Sequence, residues 1–385
     1  MALNSTTFSG KEFKVYVSHD KIGDGSSSNG CGAFNSVQNE FKRLDVEGIT
    51  LPTFNPNQEF EMRTGSGRVA EFGQIFSSSK RVITEFTLSG RLTTDDLPVF
   101  IENALSFPGV QASNITSVKI PTGFNTNTSN AALTLATDTT AGASTTETAV
   151  TDIAAGEFEK TLSVAFVSPT GGKGYKFAGC VITSLTLDAD MDSAAGRFNY
   201  SATFQTAFQP TKANMTAPSS DVAGANKIFL SDLTTQNMNV KDFDGSDDQN
   251  SITPLYKTFS LSIDSPTQFL GMHGTDGNPQ LVAKGIPELG ITISGTIKYD
   301  AETDALIEAH RDSGGVSYLE FNLGDIAFTS NAFATGTASS SKFCVGVNKA
   351  KLISAEVTSD DVAMVNFEAK VLDDGTNSII EVVTA

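Results

Sequence analysis

Tryptophan is absent from this chain, and 385 residues carry only three cysteines and three histidines. Cys31, Cys180 and Cys344 cannot all pair internally, and none stands in a CxxC or zinc-type spacing. A disulfide framework is therefore not expected, which points to folding in a reducing compartment. Positive charge is scarce as well: 26 basic against 44 acidic side chains leave a formal net charge of −18. Such a chain lacks the field that phosphate backbones require, so gripping nucleic acid is disfavoured. No stretch approaches the roughly 18 consecutive apolar residues of a membrane-spanning helix. The opening MALNSTTFSGKEFKVYVS has no cationic run ahead of an apolar core, so it does not read as a signal peptide. The expectation is a soluble protein made in the cytoplasm and kept reduced.

Catalytic patterns are missing too. HExxH, GxSxG and Walker-type GxxxxGK[ST] do not occur, and His19, His273 and His310 are far apart in sequence. Two acidic clusters, Asp188/Asp190/Asp192 and Asp242–Asp248, lack the later bidentate Glu of a calcium loop, so a hairpin tip and a polar loop are expected there. No enzyme, cofactor or metal site is implied.

What is present is alternation. Residues 13–18, 84–92, 160–167, 181–188, 197–205, 256–264, 290–299, 316–323 and 362–371 alternate apolar with small polar residues. Rich in Thr, Phe, Val and Ile, they predict half-buried strands. Two helices are expected, over 95–105 and 301–311, each opened by acidic residues suited to a helix N-terminus. The chain is mainly β with two helices.

The helices expose a duplication. Phe86-Thr-Leu-Ser-Gly90-Arg-Leu92 resembles Ile291-Thr-Ile-Ser-Gly295-Thr-Ile297, and a helix follows each. Asn199-Tyr-Ser-Ala202-Thr-Phe204 likewise resembles Asn366-Phe-Glu-Ala369-Lys-Val371. The offset is 205 positions at the first match and 167 at the second, so 38 extra residues are expected in the first half. The Thr/Ser/Ala-rich segment at about 111–156 fits that role. Two domains follow, 1–215 with the inserted segment and 216–385, joined near the Pro/Ser/Ala run 210–226. Acidity is uneven between them: residues 1–220 hold 16 basic and 21 acidic groups, residues 221–385 hold 10 and 23.

Opposite the apolar side of each strand lies a hydroxyl-rich one. Glu85, Thr87, Ser89 and Arg91 fall there in 84–92, and Thr292, Ser294 and Thr296 in 290–299. A solvent-facing sheet shows this pattern routinely. Sheets also have edges that must be closed, covered or paired with another chain, and a duplicated β protein can do so by joining copies into a ring.

In this light the chain resembles the major tail tube proteins of long-tailed bacteriophages, the siphophage type with two tube domains per chain. The stretch from Phe177 to Phe204 carries the likeness: an aromatic, the short step Ala178-Gly179-Cys180, an alternating strand, the acidic tip Asp188–Asp192 with Gly196, and a returning strand. The likeness covers most of the chain, excluding 111–156 and the termini. It implies two tandem β-sandwich domains, each with one helix, that join other copies into a ring-shaped β-barrel. Three copies would form a pseudo-sixfold ring, and rings would stack into a hollow virion tube around a tape-measure protein. A tail terminator and distal tail proteins would be further partners, with no membrane contact, and DNA would pass without specific binding. Lumen-facing positions would be Glu85, Thr87, Asp188, Ser201, Thr203, Thr292, Ser294, Glu356 and Glu368. The loop 61–81, with Arg63, Arg68, Lys80 and Arg81, would stack ring on ring. The C-terminal run 379–385 is suited to adding a strand to a neighbouring chain.

The acidity then acquires a use, because a negative, hydroxyl-rich bore does not hold DNA. A competing reading puts these acids on the outer surface for solubility. The rival function is a virion decoration protein or adhesin made of tandem β-sandwiches.

Overall fold

The computed structural model describes residues 12–19, 42–50, 57–60, 75–78, 83–93, 96–105, 118–119, 161–167, 174–207, 210–213, 227–233, 235–241, 250–265, 267–273, 279–285, 290–312, 318–324, 344–358, 362–372 and 380–383. Strands dominate, and two helices accompany them.

Two runs of elements follow one another along the chain. The first comprises β1 (Lys14–His19), β2 (Lys42–Arg43), β3 (Val46–Thr50), β4 (Asn57–Phe60), β5 (Ile75–Ser78), β6 (Thr84–Arg91) and α1 (Leu97–Leu105). It continues with β7 (Val118–Lys119), β8 (Leu162–Val167), β9 (Gly174–Asp190), β10 (Asn199–Thr206) and β11 (Thr211–Ala213). The second comprises β12 (Thr235–Lys241), β13 (Asn250–Ile252), β14 (Tyr256–Asp264), β15 (Thr267–His273), β16 (Pro279–Gly285), β17 (Gly290–Lys298) and α2 (Ala301–Asp312). It ends with β18 (Tyr318–Gly324), β19 (Cys344–Val357), β20 (Met364–Val371) and β21 (Ile380–Val383).

The two runs pair alike. Strand β1 lies between β2 and β8, as β12 lies between β13 and β18. The series β3–β6–β10–β9 is matched by β14–β17–β20–β19. Strand β11 adds to β9, and β21 to β19. Separate two-stranded hairpins, β4–β5 and β15–β16, sit at the same point of each run. Even the register repeats. Ser89 faces Ser201 in the first run and Ser294 faces Glu368 in the second, 205 and 167 positions on, as the sequence motifs are spaced.

Direct pairing of β9 with β14, Leu187 opposite Leu261, fuses the two series. The order β3–β6–β10–β9–β14–β17–β20–β19 is thus one antiparallel sheet of eight strands. Its apolar side is buried. Phe86 stacks on Phe204 at 5.1 Å and meets Phe166 of β8 edge-on at 5.4 Å, so rings from facing strands interlock. Helix α1 packs on the same side, with Phe100 4.7 Å from Tyr200. The Asn103 side-chain oxygen accepts the Ile182 backbone N–H at 2.6 Å, which pins the helix to β9.

Both helices begin with a reciprocal cap. The Thr93 hydroxyl donates to Asp96 Oδ2 and accepts the Asp96 N–H, while Asp300 Oδ1 accepts the Thr303 N–H and Thr303 Oγ1 accepts the Asp300 N–H. The first helix is described over Leu97–Leu105, and residues 94–95 lie outside the described residues.

Three expectations need correction. Strand β8 is buried along its whole length instead of on one side, Ser163 included. The C-terminal β21 pairs with β19 of its own chain, Val345 opposite Val382, where the sequence offered the run to a neighbour. The extra length is not confined to the first half. The helix-to-strand interval is longer in the first run (Leu105 to Leu162 against Asp312 to Tyr318), but the next interval is longer in the second (Gly324 to Cys344 against Val167 to Gly174). The stretch read as a linker begins with β11, and residues 214–226 lie outside the described residues. Just beyond, Lys227 and Phe229 bridge to Thr93 and Arg197 of the first run.

Candidate functional site: the polar side of the eight-stranded sheet

The period-2 geometry that buries Phe86, Leu88, Leu187, Leu261, Ile293 and Phe367 turns every alternate residue to the opposite side. All nine residues expected on a polar wall stand there together. Glu85 and Thr87 lie on β6, Ser201 and Thr203 on β10, Asp188 on β9, Thr292 and Ser294 on β17, Glu368 on β20 and Glu356 on β19.

Pairing aligns them into rows across the sheet. One row reads Ser89–Ser201–Thr186–Ser262–Thr292–Lys370–Lys351. The next reads Arg91–Asn199–Asp188–Ser260–Ser294–Glu368–Ser354. Central strand β14 supplies Thr258, Ser260 and Ser262, which sequence reasoning did not single out. Its alternation, YKTFSLSID, carried the signal.

Side chains are linked along the rows. Arg91 donates through Nη1 to Asn199 at 2.7 Å and through Nε to Glu47 at 3.1 Å, and Asn199 donates to Asp188 at 3.1 Å. Elsewhere Gln205 donates to Glu85 at 2.6 Å, Ser184 to Asp264 at 2.9 Å, and Thr296 to Asn366 at 2.8 Å. The Thr87 and Thr203 hydroxyls meet at 3.2 Å. These cross-strand contacts hold polar groups flat along the wall.

The side is hollowed. Over β9, β14, β17, β19 and β20 it bounds an open concavity of about 440 Å³, rimmed by Asp188, Asp190, Ser260, Ser294, Asn366 and Glu368. Paired strand positions on this side carry six carboxylates (Glu85, Asp188, Asp190, Asp264, Glu356, Glu368) and four cations (Arg91, Lys298, Lys351, Lys370), and Glu47 at the bulge of β3 adds a seventh carboxylate. Arg91 is already bound to Glu47. The wall is thus mildly negative and holds a small part of the chain's −18.

The chemistry available is hydration and weak repulsion of anions. Among the described residues no group of three or more His, Cys, Asp or Glu could hold a metal ion. Cys180 is buried. Asp188 and Asp190 end β9, and Asp192 lies in the turn to β10. Arg63, Arg68, Lys80 and Arg81 lie outside the described residues, as do 242–249 and most of 111–156; within 61–81 only β5, paired with β4, is described. No helix among the described residues is long and apolar enough to cross a membrane. No protein-family model matches the chain, and no curated protein matches it.

Proposed function

We propose that this chain is a structural subunit of a hollow protein tube, of the kind that conducts DNA through the tail of a long-tailed phage. Its two tube-type units, 1–215 and 216–385, carry the sheet between them. Three copies close side by side into a pseudo-sixfold ring, rings stack, and the polar side of the sheet lines the bore. The subunit is a virion component made in the host cytoplasm, performs no catalysis and needs no cofactor. A tape-measure protein occupies the bore before DNA, and terminator and distal proteins close the tube ends.

One observation carries this reading. An eight-stranded sheet is covered on its apolar side by aromatic-rich strands and α1, while its other side is concave, hydroxyl-rich and only mildly negative. A wall of that kind offers DNA few cations to hold phosphates, outnumbered by its carboxylates, and little apolar surface to stack on. The stacking role of the 61–81 stretch rests on its four cations and on the β4–β5 pairing, whose second strand lies within it.

Negative-stain microscopy of the concentrated protein tests the reading: rings or stacked tubes of uniform bore are expected. Compact monomers at every concentration would favour the decoration-protein or adhesin alternative.

A further inference from the structure

Eight strands side by side leave two edges. Among the described residues β3 pairs with β6 alone, and positions 352–357 of β19 pair with β20 alone. The internal repeat shows what those edges lack. Strand β3 corresponds to β14, because Gly48 faces Ser89 as Ser260 faces Ser294. Strand β19 corresponds to β9, because Glu356 faces Asn366 as Asp188 faces Asn199. In the middle of the sheet β9 and β14 pair with each other directly.

Burial differs accordingly. At the middle joint Leu187, Ala189, Phe259 and Leu261 are all buried. Their counterparts at the edges are Ala355, Val357, Val46 and Ile49. Val357 is 47% exposed, and the other three are only partly covered. Ile353, on the same edge of β19, is 49% exposed. Apolar side chains on an unpaired strand mark a site for pairing with another chain.

We propose that β3 of one copy pairs antiparallel with β19 of a second copy, in the register of the internal joint. Gly48 then faces Glu356, Ile49 faces Ala355, and Thr50 faces Ser354. This deepens the ring reading given above and rests on it. The contact is heterologous: each copy offers one edge and receives the other, so repetition closes a ring. The seam between copies repeats the seam within a copy, and the polar rows run through it unbroken.

Paired cysteines in the full chain test the seam. Thr50→Cys with Ser354→Cys should give covalent multimers on oxidation, and neither single variant should. Thr186→Cys with Ser262→Cys, the same register at the internal joint, should close a disulfide within one chain and stay monomer-sized. Hydrogen exchange on the unsubstituted protein reads the same seam: amides of 46–50 and 352–357 should slow on assembly. Protection there supports the seam even if the internal control fails to oxidise. Rings without slowed exchange at both edges, or without multimers while the control closes, overturn the seam and leave the ring reading intact. A chain that stays monomeric at every concentration overturns both.

Discussion

Gly90 and Gly295 occupy the same place in the sheet, each beneath a bulge in the neighbouring strand. Pairing shifts between Val46 and Gly48 beside the first, and between Tyr256 and Thr258 beside the second. A Cβ at Gly90 would run into the Asp45 carbonyl oxygen; at Gly295 it would stand 2.6 Å from the Thr258 carbonyl oxygen. Backbone atoms of a paired strand cannot step aside. Gly90→Ala and Gly295→Ala should each lose about 1–3 kcal/mol. At Gly48 the nearest obstacle is the Ser89 hydroxyl, the movable end of a side chain, so Gly48→Ala should lose less. Urea-unfolding midpoints of the three variants check the order, and an unchanged midpoint for Gly90→Ala would contradict the close approach.

Phe86 touches Phe166, Phe177 and Phe204, and so ties β6 to three other strands. Phe86→Ala should cost about 3–5 kcal/mol, as truncating a packed aromatic does. Ile83→Ala, three residues away at a position 54% exposed, should stay within about 0.5 kcal/mol. Equal losses at the two sites would show that the ring cluster is not the centre of this core.

The strands, both helices and the repeat were legible because each is written in local order. Alternation marks burial on one side, and the LSG and ISG motifs recur with the glycine their bulges require. Position on the polar wall was legible for the same reason: residues two apart on a strand must share a side. Full burial of β8 was not legible, because an alternating run reports burial on one side only. Nor was the β9–β14 pairing, since an alternating strand does not name its neighbour. The sequence offset of 38 hid two unequal intervals, one in each run, and only strand positions separate them.

Tyr200 and Tyr256 set an alkaline limit. Burial pushes both phenols well above their usual value of 10.0, and at Tyr200 the carboxylates of Asp96, Asp45 and Glu47 push the same way. With the folded value raised, the contribution is fully present below the unfolded value and is lost as pH rises toward the folded one. Stability should therefore hold to about pH 10 and fall above it. Tyr256→Phe should make that fall shallower, because one of the two raised phenols is gone. Unfolding midpoints measured from about pH 8 to about pH 11 decide it, and an unchanged midpoint for the native protein across that range would contradict the prediction.

Asp188, Glu356 and Glu368 stand on the wall without holding the fold together. Glu356 and Glu368 are exposed, and Asp188 accepts one hydrogen bond from Asn199. Exposed polar pairs of this kind are worth about 0–1 kcal/mol, so changing all three to Lys should leave the protein folded. The same change should make the wall retain DNA at low salt and release it as salt rises. Retention on immobilised DNA measures this. A native protein that binds as tightly as the triple variant would contradict a wall that does not grip.

The central claim is that the polar side of the eight-stranded sheet faces a bore. An electron-microscopic cross-section of the assembled protein tests it most directly. The account predicts a hollow ring whose inner wall is the strand layer, with α1 on its outer side. A ring whose bore is lined by helices, or whose hydroxyl-rich strands face outward, would contradict it.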